Sequence, residues 1–115
     1  MITISTSKYI NGKKVTIDGY EYTVRELGAG DRLDLSQIAG ELMKLRADAL
    51  NNKAKELTQE EQIKTLQKIS KLMEKMNDVY ASCFNDGGDG SKSKQLIKLI
   101  GIDNANKMLK EIFEG

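Results

Sequence analysis

The sequence predicts a mostly helical α+β fold: a small N-terminal β-hairpin or three-stranded meander followed by a bundle of about four helices. Three observations carry this. KVTIDGYEYTV alternates apolar and polar side chains about an Asp-Gly pair; two long stretches repeat apolar residues at three-four spacing; and FNDGGDGSKSK separates them from a short, dense apolar C-terminus. A length of 115 residues fits one domain with one modest core. Within it the pattern divides into a β unit over 1–27, two long helices over 31–85, a flexible hinge at 86–92 and two short helices over 93–114.

Asn11-Gly12 and Asp18-Gly19 are both signals for two-residue type I′ turns, which need positive φ at both central positions. If Asp18-Gly19 closes the hairpin, Ile17 faces Tyr20, Val15 faces Tyr22 and Lys13 faces Val24. Aromatic and β-branched residues then meet on one face, and Lys14, Thr16, Glu21 and Thr23 take the wet one. The Asn11-Gly12 turn adds a third strand from residues before Ile10, unless residues 1–10 form a looser arm. A bare hairpin is marginal in water, so the helices or a second molecule must cover its apolar face.

Gly28-Ala29-Gly30-Asp31 breaks the strand and offers Asp31 as an N-cap. Leu35, Ile38, Leu42, Leu45 and Ala49 then lay one stripe along a helix that ends near Asn51-Asn52. Thr58-Gln59-Glu60-Glu61 is a capping box. The helix it opens runs to about Phe84, with Leu66, Ile69, Met73, Met76, Tyr80 and Cys83 on its stripe and Ile63, Leu72 and Val79 broadening it. Met43, Met73 and Met76 fit either core filler or an adaptable apolar surface. Beyond the hinge, Leu96, Ile97, Leu99 and Ile100 form a short helix that Gly101 ends, and Asp103 can cap the last one, which carries Ala105, Met108, Leu109, Ile112 and Phe113.

The composition narrows the chemistry. Eighteen basic against seventeen acidic residues give no strong electrostatic pull toward nucleic acid or an anionic membrane. Lys68, Lys71, Lys75, Lys92, Lys94 and Lys98 are interleaved with Glu74 and Asp78, which does not suit a phosphate-tracking face. The absence of histidine removes Ser-His and Cys-His catalytic pairs and His-containing zinc sites. Asp31, Asp34, Glu41 and Asp48 fit caps or a solvated face, with no nucleophile beside them. The lone Cys83 lies on an apolar stripe and reads as a small buried hydrophobe. The glycine-rich segment lacks both the twelve-position calcium-loop pattern and the Gly-Lys-Ser/Thr ending of a phosphate loop. The expectation is a non-enzymatic protein without catalytic, metal or cofactor residues, cytoplasmic, with no membrane span or export signal.

Protein interaction remains. INGKKVTIDGYEYTVRELGAGDRLDL, residues 10–35, resembles the opening of tail assembly chaperones from siphoviruses of Gram-positive bacteria, with Tyr22, Arg25, Glu26, Leu27, Gly30 and Asp31 as the shared structural signature. The likeness covers the first third of the chain; the rest agrees in size, helical character and a polar break before the last helices. The resemblance implies a protein of the host-cell cytoplasm that binds the helical tape measure protein before the tail tube polymerises around it, then leaves. Members of that family are often made in a short form and a frameshifted longer one. On this reading Leu96, Ile97, Ile100, Met108, Leu109, Ile112 and Phe113, with Met73 and Met76, shield apolar stripes of the client. The hairpin face of Val15, Ile17, Tyr20, Tyr22 and Val24 is a second surface, for self-association into a homo-oligomer or for docking the helices. The alternative is a structural virion component such as a head-tail connector or tail adaptor.

Overall fold

The computed structural model describes residues 1–3, 12–51 and 58–114. Their order is β1 (Lys13–Ile17), β2 (Tyr20–Val24), α1 (Ala29–Asn51), α2 (Gln59–Cys83), β3 (Phe84–Asn85), α3 (Ser91–Ile100) and α4 (Ile102–Glu114). The fold is mostly helical, with one small antiparallel sheet and four helices. It divides into two compact units, Met1–Gly28 with Asn77–Gly115, and Ala29–Met76.

In the first unit β1 and β2 pair in the register set by the Asp-Gly turn, Val15 opposite Tyr22 and Ile17 opposite Tyr20. Asp18 (φ 51) and Gly19 (φ 79) both take the left-handed conformation a type I′ turn requires. The third described strand comes from the far end of the chain: β3 pairs with β2 through Val24–Phe84 and Thr23–Asn85, making β2 central. The Arg25 amide extends this pairing by donating to the Cys83 carbonyl at 2.9 Å. The strand expected before Ile10 lies outside the described residues.

The alternation in β2 places Tyr22 and Val24 inward, and they are buried with Tyr80, Cys83, Phe84, Ile97, Ala105 and Leu109 of the same unit. The hairpin's apolar face is thus covered largely within its own unit. Lys13, on that face but exposed, donates to the Ile112 carbonyl at 2.9 Å and lies 5.3 Å from the Phe113 ring centroid. A cation on one of the last carbonyls of α4 meets the negative end of the helix dipole.

The second unit is α1 with α2 up to Met76. α1 begins at Ala29, so Asp31 stands in its first turn and not at the cap, where its charge still opposes the positive helix end. Ile38 is buried and Leu35, Leu42 and Leu45 are half-buried, as the stripe requires; Ala49 lies among residues whose side chains are outside the description. On α2 the Thr58 hydroxyl accepts from the Glu61 amide at 3.2 Å, the N-cap half of the expected capping box. The inward stripe differs from expectation. It runs through Thr65, Ile69, Leu72 and Met76, with Leu72 buried, whereas Ile63, Leu66 and Met73 are half or more exposed. Residues 72 and 73 are one 100° step apart, and a three-four pattern can be drawn through either.

Candidate protein-binding surface

The loop between β3 and α3 bears on function because its carboxylates carried the calcium alternative. Asp86 is buried, and its Oδ1 accepts from the Gly88 amide at 2.8 Å and the Gly90 amide at 3.3 Å. Its Oδ2 accepts from the amides of Lys92 at 3.1 Å and Ser93 at 3.4 Å. Asp89 accepts from the Ser91 amide at 3.0 Å, and the Gly90 carbonyl from Lys94 at 3.1 Å. The four amides that open α3 therefore all have partners, supplied mostly from outside the cap residue, since Gly90 has no side chain to offer. The Gly88 amide foremost, then those of Ser93, Gly90 and Lys92, hold the Asp86 carboxyl below the ordinary carboxylate range against burial, which pushes it up. The Ser91 amide and hydroxyl lower Asp89 likewise.

Further bonds lock this loop to the sheet. The Tyr20 hydroxyl donates to the Asp86 carbonyl at 2.7 Å, and Lys92 Nζ lies 3.5 Å from the Tyr20 ring centroid. The Ser93 hydroxyl donates to the Phe84 carbonyl. In the segment expected as a hinge, both aspartates are engaged by backbone amides. Among the described residues no cluster of three or more His, Cys, Asp or Glu side chains is placed to hold a metal ion. Cys83 is fully buried, its thiol 3.8 Å from the Val79 carbonyl.

The apolar residues assigned to client binding fall into distinct environments. Leu96, Ile97 and Leu109 are buried, and Ile97 has no exposed surface at all. These three supply interior packing of the first unit and offer no surface to a client while it stays folded. Ile100, Met108, Ile112 and Phe113 are half-buried, and Leu99 is the exposed member of α3. On the hairpin, Tyr22 and Val24 are interior while Val15, Ile17 and Tyr20 are half-buried. Burial pushes the phenols of Tyr22 and Tyr80 up from their ordinary value, so both remain neutral interior groups. Of the signature residues, Arg25 donates to the Ser82 hydroxyl at 2.9 Å and to the Glu26 carbonyl at 3.1 Å, tying the exit of β2 to the end of α2.

The exposed apolar surface gathers instead in the second unit. Leu33 and Met43 on α1, and Ile63, Leu66 and Met73 on α2, are 50–69% exposed, whereas Ile38 and Leu72 are the buried large apolar residues among those described there. Met76 is half-buried. Met73 and Leu66 flank the inward stripe, about 100–120° round the helix from Leu72, and Ile63 lies opposite it, so the apolar arc of α2 runs from the inward stripe out into solvent. Leu33 and Met43 fall off the inward stripe of α1, a misfit visible in the sequence. For α2 the broad apolar arc hid the distinction.

Between α1 and α2 of this unit runs an open cleft of about 370 Å³. Leu45 and Leu72 give it apolar lining; Lys68, Lys71 and Lys75 stand along its α2 side, and Glu41, Lys44 and Asp48 along α1. Each helix presents residues spaced i, i+3, i+4 and i+7, which form one continuous face. Compared with protein-family models, characterised proteins and solved structures, the chain matches none. No helix among the described residues is long and apolar enough to cross a membrane.

Proposed function

We propose that this chain is a non-catalytic binding protein that shields apolar helical segments of another protein, and that its client is the tape measure protein of a siphovirus tail. The observation that supports binding is the second unit, a helix pair with Leu33, Met43, Ile63, Leu66 and Met73 left in solvent. Each such side chain stands to gain on the order of 1.5–3 kcal/mol on full burial, and methionines let one surface accept varied apolar shapes. The client is suggested by the resemblance of residues 10–35 to tail assembly chaperones. The binding surface assigned here keeps Met73, leaves Met76 on the inward stripe, and replaces the interior residues Leu96, Ile97 and Leu109 with the exposed residues of α1 and α2.

Co-expression with the tape measure protein encoded by the same phage, followed by size exclusion with light scattering, tests this reading. A co-eluting complex is expected. It should be lost in Leu66→Asp/Met73→Asp, whose circular dichroism should match the parent because both side chains are already exposed. A protein that ignores the tape measure protein and assembles into a defined ring alone overturns the chaperone reading in favour of a structural virion component.

A further inference from the structure

The cleft between α1 and α2 adds a charge preference to this binding reading, on which the inference rests. Lys68, Lys71 and Lys75 share one face of α2, and residues 68 and 75 are separated along the helix axis by roughly 10 Å. Like charges at i,i+3 and i,i+4 disfavour a helix by a few tenths of a kcal/mol per pair. Glu41 and Asp48 line the same cleft from α1, yet no ion pair within 4 Å joins these lysines to a carboxylate of the described residues. Lys64, by contrast, lies 3.8 Å from Glu60 one turn away. The cleft thus combines two leucines with four lysines and two carboxylates in a chain of net charge +1.

We infer that this cleft takes an amphipathic helix whose apolar stripe lies on the half-buried Leu45, with buried Leu72 as the floor beneath it, and whose acidic flank faces Lys68, Lys71 and Lys75. An apolar stripe alone would be captured by the exposed face of Ile63, Leu66 and Met73 without regard to charge. The lysine row adds discrimination: an acidic flank gains three exposed cations, while a basic flank meets like charge. A nucleic-acid strand fits less well, because the leucine lining offers nothing to phosphate and Glu41 and Asp48 repel it.

The test is fluorescence anisotropy of the full chain with two labelled amphipathic helices of about 20 residues that share one leucine stripe, one flanked by glutamate and the other by lysine. The expected result is at least a tenfold preference for the glutamate-flanked helix at 50 mM salt, shrinking at 300 mM. In Lys68→Glu/Lys71→Glu/Lys75→Glu the preference should invert at unchanged helix content. Equal affinity for the two helices, or a preference the triple variant retains, overturns the charge assignment while leaving apolar capture standing. Binding of neither helix by a protein that still forms the tape measure complex also overturns it. Loss of both helices and the complex removes the binding reading itself. Tighter binding of a single-stranded oligonucleotide than of the acidic helix replaces the proposal with a nucleic-acid groove.

Discussion

At Asp86 one buried carboxylate accepts from four backbone amides, so its ionisation is tied to the folded state of the β3–α3 loop. Because those amides lower its pKa on folding, its contribution is present above the ordinary carboxylate value of about 4 and is lost as pH falls through the lower folded value. Thermal melts between pH 2.5 and 6 should show falling stability on the acid side, with a shallower fall in Asp86→Asn. At pH 7 that variant should melt lower, by roughly 5 °C, since its amide NH2 turns a donor toward backbone donors. Tyr20→Phe keeps the ring against Lys92 but loses the bond to the Asp86 carbonyl. Denaturant titration should register a loss of about 1 kcal/mol.

Among the elements, the hairpin depends on its turn and α2 on its cap. Gly19 sits at φ 79 with open space where a Cβ would go, so Gly19→Ala carries backbone strain and no clash. It should cost about 1 kcal/mol in chemical denaturation. Thr58→Ala removes the acceptor for the Glu61 amide and should cost about 1 kcal/mol, seen as faster hydrogen exchange in the first turn of α2. These two features were legible in the sequence because their signals are local: an Asp-Gly pair fixes a turn and hence every pairing from Ile17–Tyr20 to Lys13–Val24, and a threonine three residues before a glutamate marks a helix start. β3 was not legible, since two residues are too few to alternate and Phe84 continued the stripe of α2. The remote cap by Asp86 was hidden for a related reason. Its carboxylate reaches amides six and seven residues on, beyond the spacing of a capping box. Apolar density near the C-terminus revealed that Leu96, Ile97 and Leu109 must be covered, but the same density suits a core or a docking surface, and the sheet decided between them.

For the whole molecule the division of apolar residues predicts unequal stability. Val24, Cys83, Phe84 and Ile97 are fully buried in the first unit, whereas in the second Ile38 and Leu72 retain 8% and 7% exposure among exposed neighbours. Native-state hydrogen exchange should therefore find the highest opening free energies in β2 and α3 and lower ones across α1. Phe84→Ala should cost about 3–5 kcal/mol and abolish the most protected class, while Leu72→Ala should accelerate exchange in α1 and leave β2 protected. The unequal packing is compatible with the binding role proposed for the helix pair. The lone thiol provides a clock for this behaviour. Cys83 is fully enclosed in the sheet unit, so a thiol reagent can reach it only when that unit opens. The rate of its modification under native conditions times those openings without any added probe. A client held by the helix pair alone should leave this rate unchanged, and slower modification on client binding would reveal that grip on one unit steadies the other.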